Sequence, residues 1–282
     1  MFKSASKLLG LFLLLVLSFI YTESVFDSAK KTDPVMKEII SYKKANDTLG
    51  VEPIINEDEM IIGYTGLVVN EDESYKKMKE DNEFNEDKIV FDKVLPKTTI
   101  SKTYDYYIKQ GNPSKKDVAI VFKVKDSNGV DEILKQVLKN NVNVSFFIDG
   151  SWLEKNVETA FKMVSLSCEI YNLGYDGKYQ KNLITTTNNL LESISLKDSN
   201  FCLLDDKNDE EKELCKNKKM HTIIPTINDP SFTELKNKLV KGAIISYDAG
   251  SFNASTFNLV IKTITSRGYK ITSLSKVVSE DN

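Results

Sequence analysis

The sequence predicts an α/β chain: a parallel sheet, open or closed into a barrel, preceded by an N-terminal targeting segment and a small α+β region. Three observations predict it. From about residue 117 onward, short β-branched runs alternate with helical stretches, as βα units do. Only one long apolar run exists, and it stands at the extreme N-terminus behind Lys3 and Lys7. The 282 residues, 41% hydrophobic and 28% charged, have an ordinary globular composition with room for one substantial domain and an accessory region. The same inventory excludes a multi-span membrane protein, and a net charge of −3 argues against a general nucleic-acid binder. A single histidine, His221, excludes any site that needs two imidazoles from one chain.

Residues 1–24 read as an export address, a signal peptide or signal anchor. Lys3 and Lys7 precede an apolar core over 8–21 that is short for a spanning helix. No small-x-small cleavage site follows cleanly, so an uncleaved anchor in the cytoplasmic membrane and a cleaved signal both stay open. No cysteine closes the run, which excludes a lipoprotein anchor. Export places the rest of the chain outside the cytoplasm, where disulfides form. The spacing of Cys168, Cys202 and Cys215 fits no zinc motif. They read as small buried hydrophobes, with a Cys202–Cys215 bridge as the alternative.

Residues 25–111 form a stalk and an α+β accessory region. It has a weak helical pattern over 35–40, strands at 60–64 and 66–69, a helix over 73–81 and a strand at 89–91. Gly111-Asn112-Pro113-Ser114 is a turn cluster and marks the boundary with a barrel domain over 112–282. There, strands are expected at 117–124, 142–148, from 168, and at 222–224, 243–246 and 271–274. Helices are expected at 131–140, 154–165, 183–194, 232–240 and 256–267, the last closed by Gly268. The stretch 207–219 mixes both charges and reads as an exposed, salt-laced helix.

Five phrases in this domain carry a resemblance. Lys116-Asp117-Val118-Ala119-Ile120-Val121-Phe122 comes first, then the run 141–150 with Ser145-Phe146-Phe147-Ile148-Asp149-Gly150. Ser167-Cys168-Glu169-Ile170-Tyr171-Asn172, Lys241-Gly242-Ala243-Ile244-Ile245-Ser246-Tyr247-Asp248 and Arg267-Gly268-Tyr269-Lys270 follow. In order and spacing the chain over about 112–278 resembles the polysaccharide deacetylase (NodB-like) family, carbohydrate esterase family 4. The resemblance implies a distorted (β/α) barrel with its chemistry on the loops after the strands. It also implies hydrolysis of N- or O-acetyl groups on chitin-like and peptidoglycan glycans. The scheme it supplies is a divalent metal such as zinc on one aspartate and two histidines, an aspartate base and a late histidine acid.

Carried over residue by residue, that scheme fails. The base falls on Lys123, the metal-binding aspartate on Val124, the metal histidines on Leu173 and Gly177, and the late acid on Tyr247. The Arg-Pro-Pro-Tyr-Gly segment falls near 202–206 without its arginine. Valine cannot ligate, and an ammonium beside the metal position repels a divalent ion. No catalytic residue, resident metal or other cofactor is therefore expected.

Acids and aromatics remain near the expected strand ends: Asp126, Asp149, Trp152, Tyr175, Asp176, Asp205, Asp206, Tyr247 and Asp248. They are candidates for holding a glycan, with sugar faces on the rings and hydroxyls on the carboxylates. Solvated turn residues are the plainer reading, and a hard-cation site of oxygen ligands is a third. Trp152 suits packing better than stacking. His221 begins its strand, away from a barrel mouth, and reads as a packed or surface residue. The functional expectation is an exported, membrane-anchored protein of the bacterial envelope that has lost catalysis and binds peptidoglycan, another cell-wall glycan or an envelope protein. Two alternatives stand beside it: a divergent N-deacetylase with a rebuilt carboxylate metal site, and a scaffold whose mouth is filled by Leu173, Leu203, Leu204 and Tyr247.

Overall fold

The computed structural model describes residues 30–281, together with 12–14, 16–18 and 21. The export segment expected at 1–24 otherwise lies outside the described residues. Among the described residues, no helix is long and apolar enough to cross a membrane. The chain divides into two compact units, one of residues up to 49 and 66–94, the other of 50–65 and 95 onward. A single accessory block over 25–111 is thus not what forms. Tyr107 and Ile108 are fully buried in a strand of the larger unit, and 54–61 forms a hairpin at the edge of the same sheet.

The smaller unit packs two helices with a two-stranded antiparallel ribbon, Gly66–Val69 against Phe91–Val94. Asp33 opens the first helix, Pro34–Asn46, by accepting the Val35 amide at 2.9 Å, and Asn70 opens the second, Glu71–Lys79, in the same way. Val35, Met36, Ile39, Val69, Tyr75 and Met78 are its core.

An 11-stranded sheet organises the larger unit. Its strands are β1 (Ile54–Asn56), β2 (Glu59–Ile61), β3 (Tyr107–Gln110), β4 (Asp117–Val124), β5 (Ser145–Ile148), β6 (Glu169–Asn172), β7 (Phe201–Leu203), β8 (His221–Ile223), β9 (Ile227–Asn228), β10 (Ile244–Asp248) and β11 (Lys270–Thr272). In space they run β1-β2-β3-β8-β7-β6-β5-β4-β10-β9, and β11 pairs with the first residues of β4. Only β1–β2 is antiparallel. The helices are α1 (Val130–Asn140), α2 (Gly150–Leu153), α3 (Val157–Ser165), α4 (Leu183–Ser195), α5 (Asp209–Lys216), α6 (Phe232–Lys238), α7 (Ala254–Ser266) and α8 (Leu274–Val277). The curled sheet with its helices is the distorted (β/α) barrel that the resemblance implies.

Alternation along β4 sorts the core into two layers. Val118, Ile120, Phe122 and Val124 pack outward with the α1 and α7 side chains, while Ala119 and Val121 face inward with Phe147, Leu203 and Ile223. Each fully buried large side chain stabilises the fold by roughly 1.5–3 kcal/mol, so this layering anchors the strand that delivers Lys123.

Local chemistry explains where elements differ from expectation. Instead of one helix over 154–165 the chain forms two, α2 ending at Leu153 and α3 starting at Val157. Asp149 caps the first at Ser151, and Asn156 Nδ2 closes it by donating to Trp152 O at 2.7 Å. The second strand begins at Ser145, not 142. Cys202 on β7 and Cys215 on α5 form a disulfide, which corrects the reading of both as simple buried hydrophobes. Cys168 is free and buried, and burial pushes its thiol up to about 11.

Candidate functional site

The mouth of the barrel lies at the C-terminal ends of β4 to β7 and β10. Lys123, the inward residue near the end of β4, is only 6% exposed. Its ammonium donates to Asp205 Oδ1 at 2.6 Å and to Asn228 Oδ1 at 3.3 Å. Ser246 Oγ donates to the same Asn228 oxygen at 2.6 Å. A cleft of about 140 Å³ opens above this cluster, walled by Leu173, Leu203 and Leu204 and edged by Lys125, Gly177 and Glu211. Beneath it, the buried Tyr179 hydroxyl donates toward Asn172 O at 2.8 Å and Leu203 O at 3.2 Å and accepts from Leu203 N. It joins β6 to β7, and burial pushes its phenol far above the usual range.

The predicted residues are only partly brought together. Asp149 is 2% exposed, and its carboxylate accepts four hydrogen bonds, from Ser151 N and Oγ, Asp176 N and Gly177 N, at 2.7–3.2 Å. It caps α2 and holds the turn 175–178, in which Asp176 and Gly177 both have positive φ (50° and 76°), as a tight hairpin turn requires. With those bonds made, its oxygens have little left for a sugar. Tyr175 donates to Glu154 Oε2 at 2.9 Å, and that carboxylate raises its phenol pKa. Trp152 is buried in the outer layer, its Nε1 donating to Ser127 Oγ at 2.9 Å, so no ring face is offered to a ligand.

Asp126 and Asp248 flank Gly250: a Cβ built there would lie 3.9 and 3.3 Å from their carboxylate oxygens. Each also serves a local turn, Asp126 accepting Asn128 N at 2.7 Å and Asp248 accepting Gly250 N at 2.9 Å. Asp206 is exposed. Tyr247 is a correction. It pairs in register with Phe122 and packs in the outer layer, with ring centroids 6.2 Å apart. The residues of β10 that share the face of Lys123 are Ser246 and Asp248, so Tyr247 neither replaces an acid at the mouth nor fills it. The three leucines expected beside it do line the cleft.

His221 lies at the opposite end of the sheet, 8% exposed and stacked on Tyr104 with centroids 4.4 Å apart. Burial holds its imidazole down at about 4, so it is neutral there at ordinary pH. Glu169 is tied down as well. It accepts from Ser145 Oγ, Tyr171 OH and both the amide and hydroxyl of Ser275.

Comparisons with known proteins agree with this fold. The chain is 27% identical over 240 residues to YlxY, an uncharacterised protein of Bacillus subtilis (strain 168), covering 78% of this chain and 75% of that protein. Wild-type BA3943 of Bacillus anthracis, a CE4 family pseudoenzyme, superposes with a TM-score of 0.69 at 22% identity, over 89% of this chain and 97% of that one. A BA3943 mutant with restored enzymatic activity matches equally well, with TM-score 0.69 over 88% and 99% of the two chains. The fold is that of the polysaccharide deacetylases. The Bc1960 peptidoglycan N-acetylglucosamine deacetylase shares it more distantly, with TM-score 0.55 and 16% identity over 67% of this chain and all of that one. No protein-family model matches the chain.

The polysaccharide-deacetylase fold implies a divalent metal, and the residues present do not fit one. Lys123 places a cation 2.6 Å from Asp205, the nearest mouth carboxylate. Val124 points into the apolar outer layer. Leu173 is apolar, and Gly177 contributes only its amide, to Asp149. Among the described residues no three His, Cys, Asp or Glu side chains are grouped as ligands.

Sequence reading missed Asn228, Ser246 and Tyr179, which complete the mouth. Ser246 carried a signal, since alternation from Ile244 puts it on the inner face. Asn228 ends the two-residue β9 and Tyr179 lies in the loop after β6, and neither carried one.

Proposed function

We propose that this chain is an exported cell-envelope protein that uses the polysaccharide-deacetylase fold to hold a cell-wall glycan in the barrel mouth, without metal-dependent hydrolysis. The observation that carries this reading is the Lys123–Asp205 pair at the floor of the mouth, where the fold's hydrolytic scheme needs a base and a metal. An ammonium there repels a divalent ion and cannot act as a base while it remains charged. The open cleft, polar at its floor and apolar at its walls, suits a saccharide that is bound and released unchanged. Likeness to BA3943, a pseudoenzyme, and to peptidoglycan deacetylases supports the same reading. Export and membrane attachment rest on residues 1–24, and the Cys202–Cys215 disulfide is in keeping with an oxidising compartment.

The test uses the full chain with N-acetylated chitooligosaccharide and purified peptidoglycan. Retention on peptidoglycan, weakened by Lys125→Glu, with no acetate released under zinc, cobalt, manganese or calcium, is the expected result. Metal-dependent acetate release that is lost in Asp205→Asn and Asp248→Asn would overturn it and establish a rebuilt carboxylate site. Neither retention nor release would remove the glycan and leave an envelope protein as the partner to seek.

A further inference from the structure

The loop after β4 runs Lys125-Asp126-Ser127-Asn128-Gly129 and leads from the edge of the mouth into α1. It holds the only Asn-Gly pair in the sequence. Asn128 is exposed, and its side-chain amide is bonded to no group among the described residues. Its backbone N–H donates to Asp126 Oδ1 at 2.7 Å and so holds the turn. The Gly129 N–H has no acceptor among the described residues either. Gly129 lies at φ 74°, just outside α1, and no side chain caps that helix. The loop is pinned on both sides of Asn128. Ser127 Oγ accepts from Trp152 Nε1 at 2.9 Å, and a Cβ built on Gly129 would lie 2.1 Å from Ala249 O. Asn46, Asn208 and Asn228 each precede an aspartate, and each has its side chain engaged. Asn46 Nδ2 donates to Tyr42 O, Asn208 Oδ1 accepts from Glu211 N, and Asn228 Oδ1 accepts from Lys123 and Ser246.

We propose that Asn128 is a site of self-modification, converted through the Gly129 amide nitrogen into an aspartyl or isoaspartyl residue. The Gly129 nitrogen attacks Asn128 Cγ and closes a cyclic imide. The Cγ–Nδ2 bond breaks, and Nδ2 leaves as ammonia with the proton that the Gly129 amide gives up. Water then opens the ring. Attack at Cγ restores the ordinary main chain with a side-chain carboxylate, and attack at the main-chain carbonyl carbon leaves the chain running through Cβ. Ammonia is exchanged for water, and nothing is oxidised or reduced. Glycine suits the attacking position because, without a Cβ, its nitrogen is the least hindered. Nucleophile and leaving amide are both free of competing bonds here, which holds for the side chain at none of positions 46, 208 and 228. The product places a new carboxylate just before the N-terminus of α1, where a negative charge is favoured. The isoaspartyl form also adds a main-chain atom between the two pinned residues, so the edge of the mouth must shift. The reaction depends on neither glycan nor metal.

The test incubates the full folded chain in mildly alkaline water labelled with heavy oxygen, beside the same chain unfolded in urea. Both are digested in acid and mapped by mass spectrometry. In the folded chain the peptide holding Asn128 takes up label at least tenfold faster than those holding Asn46, Asn208 or Asn228. Its product separates chromatographically into aspartyl and isoaspartyl forms. Asn128→Gln, whose longer side chain disfavours the ring closure, lowers labelling of that peptide at least tenfold, with circular dichroism checking the fold. Labelling at 128 no faster than at the other three positions overturns the proposal. So does an unlabelled Asn128 in the folded chain, whether or not urea restores the reaction, since the fold would then protect the pair. An aspartyl product without its isoaspartyl form overturns the imide route, and label that persists in Asn128→Gln overturns the assignment to Asn128.

Discussion

Lys123 and Tyr247 sit on neighbouring strands, one residue apart in register, and face opposite ways. On the inner side the polar groups answer one another: Lys123 meets Asp205 and Asn228, Ser246 meets Asn228, and Asp149 takes four donors. On the outer side the Tyr247 hydroxyl has no partner among the described residues. The contrast teaches which corner of the fold its polar contacts hold together. The inner corner is cross-linked by an internal cation, and the outer one leaves a buried hydroxyl unanswered among the described residues.

The largest effect should come from Asp149→Ala. It strands three backbone amides and a hydroxyl, so urea denaturation should show a loss of about 4 kcal/mol. A loss under about 1 kcal/mol would break the picture of an inner corner held by its carboxylates.

The same inner face predicts acid sensitivity at its far end. Burial lowers His221 from 6.5 to about 4, so the unfolded chain binds the proton first. Stability should then fall as pH drops from about 6.5 to about 4, by about 3 kcal/mol once both states are protonated. His221→Phe should flatten that segment of the stability–pH curve, measured by urea midpoints. A variant with the wild-type slope would assign the effect elsewhere.

The ion pair itself gives an asymmetric result. Asp205→Ala leaves a buried ammonium uncompensated and should cost about 2 kcal/mol, discounted because Asp205 is 43% exposed. Lys123→Met removes the buried charge and should change stability by less than about 1 kcal/mol. Equal losses in the two variants would mean that the pair is not the cross-link described above. The smallest effect belongs to the outer corner. Tyr247→Phe deletes an unpartnered hydroxyl and should be neutral or stabilising by up to about 1 kcal/mol. A marked loss in thermal melting would reveal a partner for that oxygen.

Much of this was legible in residues. The period-two runs and amphipathic helices marked the barrel, because burying one face of each element leaves a repeat in the chain. The loss of the hydrolytic scheme was legible in single identities: Lys123, Val124, Leu173, Gly177 and one histidine in the whole chain. The spacing of the cysteines left the Cys202–Cys215 bond open, since pairing depends on β7 and α5 meeting in space. Nor could it show that 54–61 and 107–110 join the barrel sheet, because strand partners are chosen by edges far apart in sequence.

Fold class, the alternation within each strand and the absence of the histidines a metal site would need are all readable along the chain. These follow from local periodicity and from counting. That Tyr247 faces away from Lys123, that Asp149 is consumed by a turn and that Asp205 neutralises the ammonium emerge only once the strands and loops are packed together. The phase of one strand against the next is set by hydrogen-bond register, and the partners of a buried charge by which loops reach it. Neither is written in any single segment of the chain.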